Sequence, residues 1–144
     1  MILTIQKGEN NQILRKKTQL VGKIDEGILQ LAKDMIETMK KNNGVGLAAN
    51  QIGESIRVFV VNKDLSKKQI FINPEISKIS KKTEIMEEGC LSLPNVFAPM
   101  PRAKSLKIKA IDENGEQFKL KAKNLLARVI QHEMDHLNGK LITD

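Results

Sequence analysis

Between Asp25 and Lys41, apolar side chains recur at Ile28, Leu31, Ala32, Met35, Ile36 and Met39. Steps of three and four place them on one face of a helix, and Asn42-Asn43-Gly44 supplies its stop. A shorter rhythm follows. Arg57 to Asn62 and Gln69 to Asn73 are brief runs rich in Val, Ile and Phe, as half-buried or buried strands are, and Pro74 ends the second. From Leu106 to Ile111 apolar and basic residues alternate, Asp112 to Gly115 offers a turn, and Phe118, Leu120 and Ala122 alternate again. This predicts a β-hairpin with a lysine-rich polar face. A last helix runs from Asn124, an N-cap residue type, to Leu137, with Asn138-Gly139 as its stop. Helix, strands, hairpin and helix in that order predict an α+β fold with antiparallel β-sheet packed around the final helix.

The chain has 144 residues, the size of one domain, and is read as a single domain over 1–144. Its longest apolar runs, such as Val58 to Val61, are far short of the roughly 20 residues that cross a bilayer, so no membrane span is expected. The opening Met1 to Asn10 meets polar and acidic residues too early for a secretory signal. A single cysteine, Cys90, excludes an internal disulfide and fits a reducing compartment, which points to the cytosol while leaving an organelle open. A net charge of +7 would favour polyanions. However, adjacent lysines come as scattered pairs (Lys16-Lys17, Lys40-Lys41, Lys67-Lys68, Lys81-Lys82), and four Phe with no Tyr or Trp leave little for bases to stack on. The expectation is solvated surface with no specific nucleic-acid site.

The chemistry concentrates in the last helix, at His132-Glu133-Met134-Asp135-His136. Two histidines four apart share one helix face, close enough to hold one metal ion. They continue the row of Leu125 and Val129, while Glu133 continues the row of Leu126 and Ile130, so all three aim inward. Chance alone places this composition's two histidines and a glutamate this way roughly once in a thousand arrangements. A third protein ligand must then be a carboxylate or Cys90. Cys90 stands in Glu87-Glu88-Gly89-Cys90-Leu91-Ser92-Leu93-Pro94, a shaped, non-helical segment, where it is either a ligand or a buried small apolar residue. A third segment, Gly44-Val45-Gly46-Leu47-Ala48-Ala49-Asn50-Gln51, lets backbone approach a ligand closely and ends in an amide. It lacks the third glycine of a dinucleotide fingerprint and the Lys-Ser/Thr of a Walker loop.

Together, Gly44 to Gln51, Glu88 to Ser92 and Gln131 to Leu137 resemble the three motifs of the peptide deformylases, in the same order and without deviation. The resemblance implies a metal-dependent hydrolase, a single catalytic domain that removes the formyl group from N-formyl-methionyl peptides. It makes Cys90, His132 and His136 the metal ligands, Glu133 the general acid and base, and Gln51 with the backbone N–H of Leu91 the partners of the oxyanion. It implies ferrous iron in the cell, with zinc, nickel or cobalt able to occupy the site. The substrate methionine would enter a pocket of Val45, Leu125, Val129 and the His132 ring, with extended peptide along Val45, Gly46 and Gly89. Glu88 and Arg102 form an ion pair, either buried beneath the cysteine segment or exposed. Many relatives carry Arg or Tyr where Phe97 stands. The chain stops at Asp144, before the C-terminal helix by which bacterial relatives usually dock on the ribosome, so that specific contact is not implied, while the basic surface leaves the ribosome open as a partner. Two other readings compete: a metallopeptidase built on the same helix motif, and a small metal-stabilised binding domain.

Overall fold

The computed structural model describes residues 1–144 and contains two antiparallel sheets around a C-terminal helix. A one-turn helix α1 (Gln12–Arg15) precedes α2 (Glu26–Lys41), whose start is fixed by Asp25 accepting the Ile28 N–H at 3.0 Å. Then come β1 (Gly46–Ala48), a 3-10 turn (Ala49–Ile52), β2 (Val58–Val61), β3 (Ile70–Ile79), β4 (Thr83–Cys90), β5 (Leu93–Ala103), β6 (Ser105–Ile111), β7 (Gln117–Lys123) and α3 (Asn124–Leu137). The larger sheet has the order β1-β2-β3-β6-β7, and β4 pairs only with β5.

Alternation along β2 explains the layering. Val58 and Val60 pack with Ala32, Met35 and Met39 of α2, while Phe59 and Val61 pack with Ala127, Val129 and Ile130 of α3. With helices on both faces, every residue of this strand is buried, as a continuous apolar run requires. Phe59 stacks on Phe71 with centroids 4.7 Å apart, and Phe118 meets Phe71 edge-on at 5.4 Å. The helix α2 covers only the β1–β2 side of the sheet, so the face of β6 and β7 turned away from α3 is open to solvent.

The α+β class, α2, the hairpin and α3 agree with the sequence pattern. Two local expectations do not. Pro74 does not end its strand, because β3 continues to Ile79. Its missing N–H falls where the pairing of β3 with β6 shifts register between Ile72 and Glu75, a place where proline breaks no ladder bond. Asn124 does not cap α3 with its side chain. It is the first helical residue, at φ 54°, and its N–H donates to Lys104 O at 2.8 Å. The segment around Cys90 is non-helical, as expected, and forms the end of a long two-stranded arm, β4 and β5, that turns at Leu91-Ser92.

Candidate active site

The second sheet brings Cys90 over α3. Cys90 Sγ lies 3.3 Å from His136 Nε2, and that nitrogen lies 3.1 Å from His132 Nε2. The three candidate ligand atoms thus fall within 4.8 Å of one another. His136 is 1% exposed and its other ring nitrogen, Nδ1, has no protein partner. One turn back, Glu133 is 3% exposed and its Oε1 is also unpartnered. A thiol and two imidazoles converging beside an orphaned carboxylate fit a three-ligand metal centre, a donor set suited to borderline divalent ions.

A buried ion-pair network lies beneath this cluster. Glu88, buried below Cys90, accepts from Arg102 at 2.9 and 3.1 Å and from Arg128 at 2.6 Å, and lies 3.0 Å from His132 Nδ1. Burial pushes the Glu88 carboxyl up, but hydrogen bonds from His132, Arg102 and Arg128 outweigh it and hold the group at about 2. Burial lowers His132, yet its contacts with Cys90 and Glu88 outweigh this and bring it up to about 10. Burial drives His136 well below its ordinary value and raises Glu133 to about 7, against the pull of His132 and Arg102.

The Glu88–Arg102 pair is therefore buried, and the exposed alternative is excluded. Sequence reasoning missed its second arginine. Arg128 also donates to Met100 O at 2.9 Å and to Glu84 O at 2.6 Å, fastening the β4–β5 arm to the helix. Arg102 further pairs with Asp135. No sequence signal marked it: its neighbours along the helix face are Asn124, Leu125, Gln131 and His132, a mixed row on which an arginine reads as solvent-facing.

Gln51, buried in the 3-10 turn, accepts from Ala48 N–H at 3.0 Å and donates to Ser92 Oγ at 3.1 Å, with the same Nε2 3.7 Å from Cys90 Sγ. The Leu91 N–H, in the turn between β4 and β5, meets no protein acceptor. Asn50, next to Gln51, donates to His136 O, tying the 3-10 turn to the end of α3. A cavity of about 820 Å³ opens next to the cluster and is lined by Val45, Gly46, Gly89, Leu125, Val129 and His132, among others. Leu125 and Val45, each 47% exposed, stand at its mouth, while Val129 is buried at its wall. The two glycines have a reason beyond approach by a ligand. A Cβ on Gly46 would sit 2.7 Å from Glu133 Oε2, and one on Gly89 would sit 2.9 Å from the Phe97 ring.

A family model described as polypeptide deformylase matches residues 2–144 of this sequence. The chain belongs to that family. Its members are hydrolases that remove N-formyl groups from nascent peptides and depend on a metal. The chain is 51% identical over 144 residues to the peptide deformylase of Dictyoglomus thermophilum, covering 100% of this chain and 92% of that protein. It is 52% identical over 137 residues to peptide deformylase 1 of Clostridium perfringens, covering 94% and 92%. The Thermotoga maritima peptide deformylase structure superposes with a TM-score of 0.94 at 42% identity, covering 100% of this chain and 97% of that one. The Ehrlichia chaffeensis enzyme in complex with actinonin gives 0.91 at 36% identity, covering 98% and 86%.

Proposed function

We propose that this deformylase works as a single catalytic domain in which Cys90, His132 and His136 hold one divalent metal ion and Glu133 moves the protons. The observation that carries this reading is the convergence of those three ligand atoms within 4.8 Å beside the orphaned Glu133 carboxylate. When bound, the metal supplies Lewis acidity that polarises the formyl carbonyl and acidifies water. Glu133 accepts the proton of the attacking water as its oxygen bonds to the formyl carbon. The same carboxyl then delivers that proton to the peptide nitrogen as the C–N bond breaks, releasing formate and a free amine. Gln51 Nε2 and the unpartnered Leu91 N–H donate to the oxygen that gains charge, each worth about 3 kcal/mol in comparable sites.

Substrate placement follows from two open edges. The strand β1 is the outer strand of its sheet, and β4 pairs on one side only, so an extended peptide fits beside Gly46 and Gly89 by strand addition. The formyl-methionine side chain enters the cavity against Val45, Leu125, Val129 and the His132 ring. Ferrous iron is the proposed metal in the cell, with zinc, nickel or cobalt as substitutes, since a thiolate with two imidazoles accepts all of them. No helix is long and apolar enough to cross a membrane, and the proposed place of work is the cytoplasm. Two readings fall away. Family membership displaces the metallopeptidase, and a purely structural metal has no use for a buried acid beside it.

The test is formate release from formyl-Met-Ala-Ser by protein loaded in turn with iron, zinc, nickel and cobalt. Turnover with at least one metal, abolished in Glu133→Ala that still binds it, is expected. No turnover with any of the four, or metal loss in Glu133→Ala equal to that in His132→Ala, would overturn the assignment of roles.

A further inference from the structure

Glu88 joins the β4–β5 arm to α3, and its two carboxylate oxygens do different work. Oε1 lies 3.0 Å from His132 Nδ1 and accepts from Arg102 Nη2 at 2.9 Å. Oε2 accepts from Arg128 Nη1 at 2.6 Å and from Arg102 Nε at 3.1 Å. Arg102 belongs to β5, which pairs with the strand that carries Glu88, so its grip stays within the arm. Arg128 and His132 come instead from α3, four residues apart and therefore one turn along the same face. One carboxylate thus bridges two successive turns of the helix. Held on that side by His132 alone it would pivot about a single contact, and Arg128 supplies the second point that fixes it.

Arg128 is itself held in place. Nη1 also donates to Met100 O at 2.9 Å and Nη2 donates to Glu84 O at 2.6 Å, so two backbone carbonyls of the arm lock the guanidinium before it meets Glu88. Both side chains are buried, which leaves neither free to turn toward water. The ring of a metal-binding histidine is oriented by whatever bonds its other nitrogen. For His132 that partner is Glu88, and the opposite nitrogen, Nε2, is the one 3.1 Å from His136 Nε2. We infer that Arg128 is a positioning residue of the metal centre, acting through Glu88 to set the ring of His132 while making no hydrogen bond to a ligand atom itself. The inference rests on the proposed ligand set. Lysine is no substitute here, because three acceptors arranged around Arg128 match a planar fork and not a compact ammonium on a flexible stem.

The experiment titrates the zinc-loaded protein with a chromophoric chelator in wild type, Arg128→Lys, Glu88→Gln and the double variant. Arg128→Lys should weaken zinc binding about 10- to 100-fold, and in the Glu88→Gln background the same change should cost less than about threefold. With metal saturating, kcat for formyl-Met-Ala-Ser should fall about tenfold or more while KM stays within about twofold. Asp112→Asn, which breaks the pair of the buried Asp112 with Lys68 outside the active-site cavity, is the control for lost stability and should hold zinc within about threefold of wild type. Should Arg128→Lys fail to fold, Glu88→Asp takes its place, since a carboxylate one methylene shorter cannot span both turns, and the same loss is expected. Wild-type zinc affinity in that variant or in Arg128→Lys, an equal loss in both backgrounds, or an equal loss in Asp112→Asn would overturn the proposal. A raised KM at unchanged kcat would also overturn it, since that marks a direct substrate contact. Zinc binding that survives His136→Ala would refute the ligand set itself, whereas binding lost in His136→Ala but kept in Arg128→Lys refutes the positioning role alone.

Discussion

Gly46→Ala is the smallest change that tests the geometry of Glu133. The backbone at Gly46 does not need glycine, since its φ lies outside the left-handed region, so only space decides. The added methyl carbon would lie 2.7 Å from Glu133 Oε2, 2.9 Å from Val129 Cγ1 and 3.1 Å from Glu133 Cδ, where ordinary contact begins near 3.4 Å. The overlap is therefore about 0.7 Å with the carboxylate and about 0.5 Å with Val129. Both neighbours are nearly sealed, Val129 at 4% exposure and Glu133 at 3%, so the strain cannot escape into solvent. Overpacking of this kind costs about 1 to 3 kcal/mol, or roughly 3 to 10 °C in melting temperature for a domain this size. The larger effect falls on catalysis. Displacing a proton-transfer group by close to 1 Å costs on the order of 100-fold, so kcat/KM should fall about 100-fold while metal stays bound. The assay is formate release from formyl-Met-Ala-Ser, read beside metal content and thermal melting. Gly22→Ala, where nothing lies within 4 Å of the added carbon, is the neutral control. Wild-type kcat/KM in Gly46→Ala, or a loss that tracks metal loss, would refute the argument that Glu133 is positioned by the absence of a side chain at Gly46.

Cys90→Ser should lower metal content or change which metal is retained, because a hydroxyl matches borderline ions less well than a thiolate; equal content and activity in metal analysis would remove Cys90 from the centre. Arg128→Met should destabilise the fold by about 3 to 5 kcal/mol in denaturant melts, since it takes one of two buried guanidinium partners from Glu88 and unfastens Glu84 and Met100; a change below about 1 kcal/mol would show the pair to be dispensable. Asp112 is held below its ordinary 3.8 by its hydrogen bond from Lys68, against burial and with help from the Glu116 and Asn114 N–H groups. Its stabilisation is thus complete above that value and is lost as pH falls through the lower folded one, so the melting-temperature gap between wild type and Asp112→Asn should shrink on acidification. A gap that stays constant as the pH falls well below 3.8 would contradict this account.

Periodicity made α2, β2, the β6–β7 hairpin and α3 readable, because each buries one face or, in β2, both. The β4–β5 arm was hidden for the opposite reason. It carries Pro94, Pro99 and Pro101 and exposes Ile85, Met86, Val96 and Phe97, so neither alternation nor burial marks it as sheet. The His-Glu-x-x-His face was legible from spacing, and the structure brings Cys90 to it. Arg128 was not legible, since one charged residue on a helix ordinarily reads as solvent-facing, and only the fold shows Glu88 beneath it. The lysine face was half legible: alternation predicted its existence on each strand, while the register that lines Lys78, Lys107 and Lys121 in one row is a property of three strands together.

The three motif segments are laced to one another in a closed triangle. Gln51 donates to Ser92 across 41 residues of sequence, Glu88 meets His132 across 44, and Asn50 donates to the carbonyl of His136 across 86. Such long-range ties share no turn or hairpin that could form early, and each closes a loop whose entropy must be lost before the next contact is worth anything. No corner of the triangle survives alone. The proposed catalytic centre therefore belongs to the cooperative unit of the whole fold rather than to a separable lobe, and thermal inactivation should coincide with global unfolding rather than precede it.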